Sequence, residues 1–306
     1  MHETFFSSRE FAEAWARSGS GHVLGIPVRG SGSPRTIFGI QDTEHYFRRS
    51  ISLGPFGGYA SPGWENYLEQ STVRGVLDRL RGVRTTKIVW NVRFDHQPLA
   101  AVLESLGLEP VSIPTHVLHL QEDYDMVFAG YNATMRNHVR RSRKMGVRLR
   151  DGLEENDVRA FYRVYSNLVQ QKPGFQLALP VELFINLLRT GKSARLVLAE
   201  VEEEVVAGGF FLKDGCTVLY YMGASDRDYS KYFPSCAVMD EAIRWACETG
   251  ADFFNFGSSG DLEKLKQFKS FWGAQEENSW QFVWQNPFWN RISQWKARFA
   301  RRQAGL

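Results

Sequence analysis

Along the second half of the chain the apolar positions change period several times, and each change marks an element. Residues 146–152 ("GVRLRDG") alternate as a strand does, whereas 153–172 carry Val158, Phe161, Tyr162, Tyr165, Leu168 and Val169 as one helical stripe. Pro180 opens a second helix that Gly191 closes. Three strands then run in meander, "ARLVLAEVE", "EEVVAGGFFLKDG" and "CTVLYYMGAS", with turns at Glu203–Glu204 and Asp214–Gly215. A long helix over 234–250, a short strand "DFFNFG", a loop "SSGD", a lysine-bearing helix "EKLKQFKSFWGA" and a last strand "NSWQFVWQ" complete the series. The predicted order is β-α-α-β-β-β-α-β-α-β.

The first half reads as a weaker copy. A helix near 8–17 precedes strands at 22–30, 34–40 and 48–54, then a helix over 65–82, a strand over 87–93, a helix over 98–107 and a strand over 115–121. "IVWNVR…LESLGLEP" aligns with "FFNFGS…KSFWGAQE" at an offset of roughly 165 residues, the self-similarity of a duplicated unit. The expected organisation is an α/β protein with mixed sheets. Its domains are 1–125, a degenerate copy, and 126–285, with a basic amphipathic helix over 286–306. A cleft between two such halves is a preferred place for a ligand.

Composition narrows the function classes. With 306 residues, 43% hydrophobic and 14% aromatic, the chain has material for real cores. A net charge of +3 argues against a dedicated nucleic-acid binder. Three cysteines, Cys216, Cys236 and Cys247, give no disulfide framework and no metal-binding C-x-x-C pair. His116 and His119 sit at odd spacing on one strand and face opposite sides, so no metal is expected. The N-terminus is a capped amphipathic pattern rather than a secretory leader, and no apolar run spans a bilayer, which points to a cytoplasmic protein.

Chemistry concentrates in the lysine helix. Leu262, Leu265, Phe268 and Trp272 share one face, and Lys269 lies on it, while Lys264 and Lys266 point elsewhere. Lys269 either snorkels to water or is aimed inward as a fixed cation beside a reacting carbonyl. The start of the long helix, "YFPSCAV", lacks the Gly-rich turn that presents N–H groups to a pyrophosphate, and Pro234 removes a donor. Ser235 there reads first as a cap. Arg136, Arg140, Arg141, Arg143 and Lys144 form either a solvated face or a phosphate grip, with Arg136 and Arg140 at i,i+4. The Gly-rich "GPFGGYAS" is not a P-loop. The last helix sets Trp289, Ile292, Trp295 and Phe299 opposite arginines, a stripe that either docks on the protein or rests on an anionic membrane.

"LKQFKSFWGA" is similar to the C-terminal signature of FemAB/FemX-like proteins and related polysaccharide-cluster acetyltransferases. The block 219–257, "LYYMGASDRDYSKYFPSCAVMDEAIRWACETGADFFNFG", resembles the family's long block, and 131–149 and 50–62 resemble its basic helix and Gly-rich segment. The resemblance implies two tandem GNAT-like domains and an N-acyltransferase that joins an acyl or aminoacyl group to an amine of a cell-envelope or polysaccharide precursor. It implies a transfer site at Phe268–Lys269, the lysine assisting the polarised carbonyl, and an acyl-CoA or aminoacyl-tRNA donor without a metal. The substrate-binding candidates are Tyr221, Asn255, Arg136, Arg140, Ser235 and Gly257. Where the family often has Asp, this chain has Asn255, which cannot be a general base. Tyr220, Tyr221 and Asp261 remain candidates for that task, although Asp261 reads first as an N-cap and Tyr221 as a core tyrosine. The expected partners are a small or lipid-linked envelope precursor, tRNA, and the membrane periphery through 287–302. The rival readings are an acetyl-CoA-dependent amino-sugar N-acetyltransferase and a catalytically silent, envelope-associated binding protein.

Overall fold

The computed structural model describes residues 5–19, 21–28, 35–44, 48–53, 70–94, 97–121, 123–171, 179–191, 193–292 and 295. Two compact units emerge: residues 1–113 with 279–306, and residues 114–278.

In the first unit α1 (Arg9–Arg17) starts at Ser8, whose hydroxyl accepts from the Phe11 N–H. Strands β1 (His22–Val28), β2 (Arg35–Glu44) and β3 (Arg48–Leu53) follow as antiparallel neighbours. Helix α2 (Gln70–Leu80) then carries the chain to β4 (Thr85–Val92), which runs parallel to β3. Helix α3 (Gln97–Ser105) closes the run. The core is built from the inward faces of the strands and helices, with Ile51, Leu77, Ile88, Trp90 and Leu103 buried. Of the helix expected over 65–82, Gln70–Leu80 is described; residues 54–69, which include most of the Gly-rich segment, lie outside the described residues.

The second unit holds the end of β5 (Glu109–His119), α4 (Tyr124–Gly130), α5 (Ala133–Lys144), β6 (Arg148–Gly152), α6 (Glu155–Gln170) and α7 (Val181–Leu188). The antiparallel meander β7 (Ala194–Val201), β8 (Glu204–Asp214) and β9 (Thr217–Ser225) comes next. It is followed by α8 (Pro234–Glu248), β10 (Phe253–Ser258) and α9 (Glu263–Ser270), and the chain continues into β11 (Gln275–Gln285). Glu154 and Asp157 form a capping box on α6, and Pro234 opens α8. Strand β10 is parallel to β9 and antiparallel to the end of β5.

The expected domain boundaries need correction. Trp280–Gln285 of β11 pair antiparallel with β4, and Phe282 is buried in the first unit's core, so this strand does not belong with 126–278. Backbone donors and acceptors must be satisfied by a ladder, and the ladder decides membership. The same logic places Thr115–His119 of β5 in the second unit, beside β10. Each unit is thus closed by the strand that follows the other unit's last strand–helix pair. The duplicated plan is visible in the pairings: parallel β3–β4 with antiparallel β11, and parallel β9–β10 with antiparallel β5.

The expected C-terminal helix is described only in part. Residues 287–292 are helical and latched to the first unit: the Trp289 indole N–H donates to Val83 O at 2.7 Å. Trp295 is 65% exposed, and the rest of the tail lies outside the described residues. No helix among the described residues is long and apolar enough to cross a membrane.

Candidate active site

Strands β9 and β10 set the frame. Their parallel pairing ends at Leu219–Asn255, although β9 runs on to Ser225 and β10 to Ser258. Two irregularities accompany the parting. Tyr221 is the extra residue of a bulge against β8, between the pairs Phe211–Tyr220 and Phe210–Met222. On β10 the register against β5 slips between Asn255 and Ser258.

The second bulge has a local cause. Asn255 is 1% exposed, and its Oδ1 accepts from Thr115 Oγ1 at 2.7 Å and from the Gly257 N–H at 2.7 Å. Gly257 takes φ 72°, which a side chain would resist. The turn aims two successive carbonyls away from the ladder. Lys269 Nζ donates to both, at 2.7 Å to Gly257 O and 2.9 Å to Ser258 O.

Lys269 is 2% exposed, so the inward alternative is the one realised. Among the described residues no carboxylate pairs with it, and burial pulls its pKa down from 10.5 to about 8. Two of its three donors are taken by the carbonyls, which leaves one for an incoming oxygen. The helix that carries it is clamped from behind: the Asn132 N–H donates to Phe271 O at 2.8 Å, and Tyr131 meets the fully buried Trp272 edge-on at 4.9 Å. Phe268 is half-buried against the same core and lies edge-on to Trp272. Lys266 pairs with Glu263 on the wet side, and Lys264 is exposed.

His116 on β5 belongs to this neighbourhood, a placement the sequence did not show. It is 5% exposed, and burial, then the charge of Lys269, hold its pKa below the ordinary value, so it is neutral at pH 7. Its signal was the strand register: Thr115 and Val117, its neighbours, pair with Ser258 and Asn255 of β10.

Other expected site residues have different surroundings from those expected. Tyr221 packs in an aromatic cluster with Phe184 and Phe210, and burial raises its phenol far above neutral pH. Burial pushes Tyr220 up to about 12 as well, so neither phenol is a base at neutral pH. Arg136 donates to the carbonyls of Ala129 and Tyr131, which caps α4, and does not join Arg140 in a grip. Arg140 is exposed over the Phe128 ring at 5.5 Å. Ser235 is exposed and is not the cap of α8; that place is held by Phe233 with φ 55°. Phe233 is stacked on His138 at 4.1 Å with Arg141 over its ring. Asp261 is not the cap of α9, where Leu262 stands, itself 55% exposed rather than on the buried face.

Several known proteins resemble this chain. The family model "Acetyltransferase (GNAT) domain" matches residues 130–270. A UDP-N-acetylmuramoylpentapeptide-lysine N(6)-alanyltransferase of Weissella viridescens is 26% identical over 129 residues. That alignment covers 42% of this chain and only 38% of the relative. A crystal structure of FemX superimposes with a TM-score of 0.75 at 13% identity, covering 95% of both chains. The structure of L-PGS from Bacillus licheniformis gives 0.56 at 11% identity over 96% of both. Residues 130–270 thus resemble a GNAT acetyltransferase domain, and the chain shares the fold of FemX.

Proposed function

We propose that the protein is an N-acyltransferase that moves an acyl or aminoacyl group onto an amine of a cell-envelope or polysaccharide precursor. The observation that carries this reading is the buried Lys269 ammonium, held by two carbonyls beside the parting of β9 and β10 with one donor to spare. Burying a cation without a counter-charge is costly, and a lysine with only a structural task would be replaced by an apolar residue. That cost argues against the silent binding protein.

In the proposed reaction the neutral acceptor amine attacks the ester or thioester carbonyl. As the C–N bond forms, charge gathers on the carbonyl oxygen, which takes the third N–H of Lys269. The C–O or C–S bond then breaks, and the amine proton leaves with the departing alcohol or thiol. Phe268 walls the site, and Asn255 acts through Gly257 and Ser258 as a positioning residue. His116, neutral and close in charge range to Lys269, avoids adding a second cation.

Two donors fit this chemistry. An aminoacyl-tRNA ester is favoured by the alanyl transfer in the name of the Weissella viridescens relative and by the absence of a Gly-rich turn before Pro234. An acyl-CoA remains the second reading because α8 still offers a helix N-terminus. Thermal shift with aminoacyl-tRNA and with acetyl-CoA separates them, since only a ligand of the native state raises Tm. If Lys269→Ala keeps its fold and its transfer rate, the reading fails. The same proposal places the protein at the periphery of a membrane through residues 287–302, where Phe288 and Trp295 are 59% and 65% exposed.

A further inference from the structure

The first unit carries a cationic cavity that the acyl-transfer chemistry does not use. It has a volume of about 430 Å³ and lies at the start of β3 and β4, away from the end at which these parallel strands finish. Arg48, Arg49 and Arg84 line it, together with Gln41 and Thr43, and none of its described lining residues is a carboxylate. Arg49 is held by neutral partners: its Nε donates to Thr85 Oγ1 at 3.0 Å and its Nη1 to Gln41 Oε1 at 3.1 Å. The Arg48 guanidinium lies 4.3 Å over the Trp289 ring. Guanidinium groups gathered in one cavity offer charge-assisted donors that suit an anion.

The rim has a second character. Val83, another lining residue, is 80% exposed, and Phe288, edge-on to Trp289, is 59% exposed. This apolar rim is tied together by hydrogen bonds: Asn286 Nδ2 donates to Gly82 O and Thr85 O, and the Trp289 indole donates to Val83 O. A phosphate grip beside fixed, exposed aliphatic and aromatic side chains matches a membrane interface, where rings sit at headgroup depth. An RNA backbone would use the arginines but leave Val83 without a role.

We propose that this cavity seats the phosphodiester of an anionic phospholipid while Val83 and Phe288 enter the interface. The proposal deepens the peripheral membrane contact proposed above and rests on it, but assigns the contact to residues of the folded unit rather than to the tail.

The test is flotation of the full chain with phosphatidylcholine vesicles, with and without about one-third phosphatidylglycerol. Binding is expected only to the anionic vesicles, and the Arg48→Gln/Arg84→Gln pair is expected to weaken it roughly thirtyfold, from about fivefold per surface arginine. Val83→Asp is expected to weaken it as well, with all variants folded by circular dichroism. Lys269→Ala is expected to float like the unmodified chain, which separates this test from the transfer chemistry. If Arg298→Gln/Arg301→Gln/Arg302→Gln abolishes flotation and the cavity pair does not, the membrane reading stands and the cavity is overturned. No flotation at all overturns both. Displacement from vesicles by mixed tRNA or by inorganic phosphate, abolished in the cavity pair, assigns the site to RNA or to free phosphate and overturns the lipid.

Discussion

The two copies of the strand–helix–strand motif are built alike and end in opposite chemistry. In the alignment that relates them, Leu103 of α3 stands where Lys269 stands in α9, and Trp90 stands where Asn255 does. In the first unit the arrangement is an ordinary amphipathic one: Leu103 and Trp90 are buried and Glu104 is exposed. In the second unit a polar residue has moved into the sheet and a cation under the helix, each held by hydrogen bonds. The lesson is that the proposed site replaces packing residues of a common scaffold, with a glycine bulge to aim the carbonyls.

Removing the cation should break the comparison most sharply. Lys269→Met is expected to lower transfer by about 100-fold or more, the scale of a lost oxyanion donor. Its Tm should stay within a few degrees, because relief of the desolvated charge, about 3 kcal/mol, offsets two orphaned carbonyls at about 1–3 kcal/mol each. Glu104→Lys, a lysine on the exposed face of the corresponding helix in the first unit, should leave the transfer rate and thermal unfolding as they are. A loss of transfer there would undo the distinction between the copies.

The bulge comes next. Asn255→Leu orphans the Thr115 hydroxyl and the Gly257 N–H, and is expected to destabilise by about 1–3 kcal/mol in denaturant titration. Asn255→Asp accepts the same two hydrogen bonds and adds a negative charge beside Lys269. It should keep the fold and move the alkaline limb of the rate profile upward, a shift that a merely structural asparagine would not produce.

A smaller effect is expected at the basic helix. Arg136→Gln should cost about 1 kcal/mol of stability, since it uncaps α4. Arg140→Gln should leave stability unchanged and reduce the salt dependence of donor binding if a polyphosphate or RNA passes this face. Equal effects of the two variants on donor binding would restore the joint grip that the structure separates.

Much of the second unit was legible because its signals are local. Pro234 and Gly250 bound α8, and the apolar runs of β7 to β9 between turn residues gave the meander. The lysine's face was legible too, but not its depth. Periodicity places Lys269 beside Leu265 and Trp272, whereas its burial depends on carbonyls delivered by a bulge on another strand. The domain membership of β5 and β11 was not legible, because a strand's pattern does not name its partner. Arg136 and Ser235 were misread for a related reason: hydrogen bonding to α4 and the left-handed turn at Phe233 replaced the roles their positions suggested.

The pH dependence joins structure to chemistry. The unfolded chain holds the Lys269 proton up to about 10.5, while the folded chain releases it near 8, so the stability penalty of this group is full below 8 and fades as pH rises through that window. Lys269→Met should lose that slope. The most direct test of the account is to follow the Lys269 side chain by nuclear magnetic resonance while measuring single-turnover transfer over the same pH range. The account predicts that the lysine titrates at about 8 and that the falling alkaline limb of the rate coincides with it. A lysine that titrates near 10.5, with a transfer rate indifferent to its charge, would contradict it.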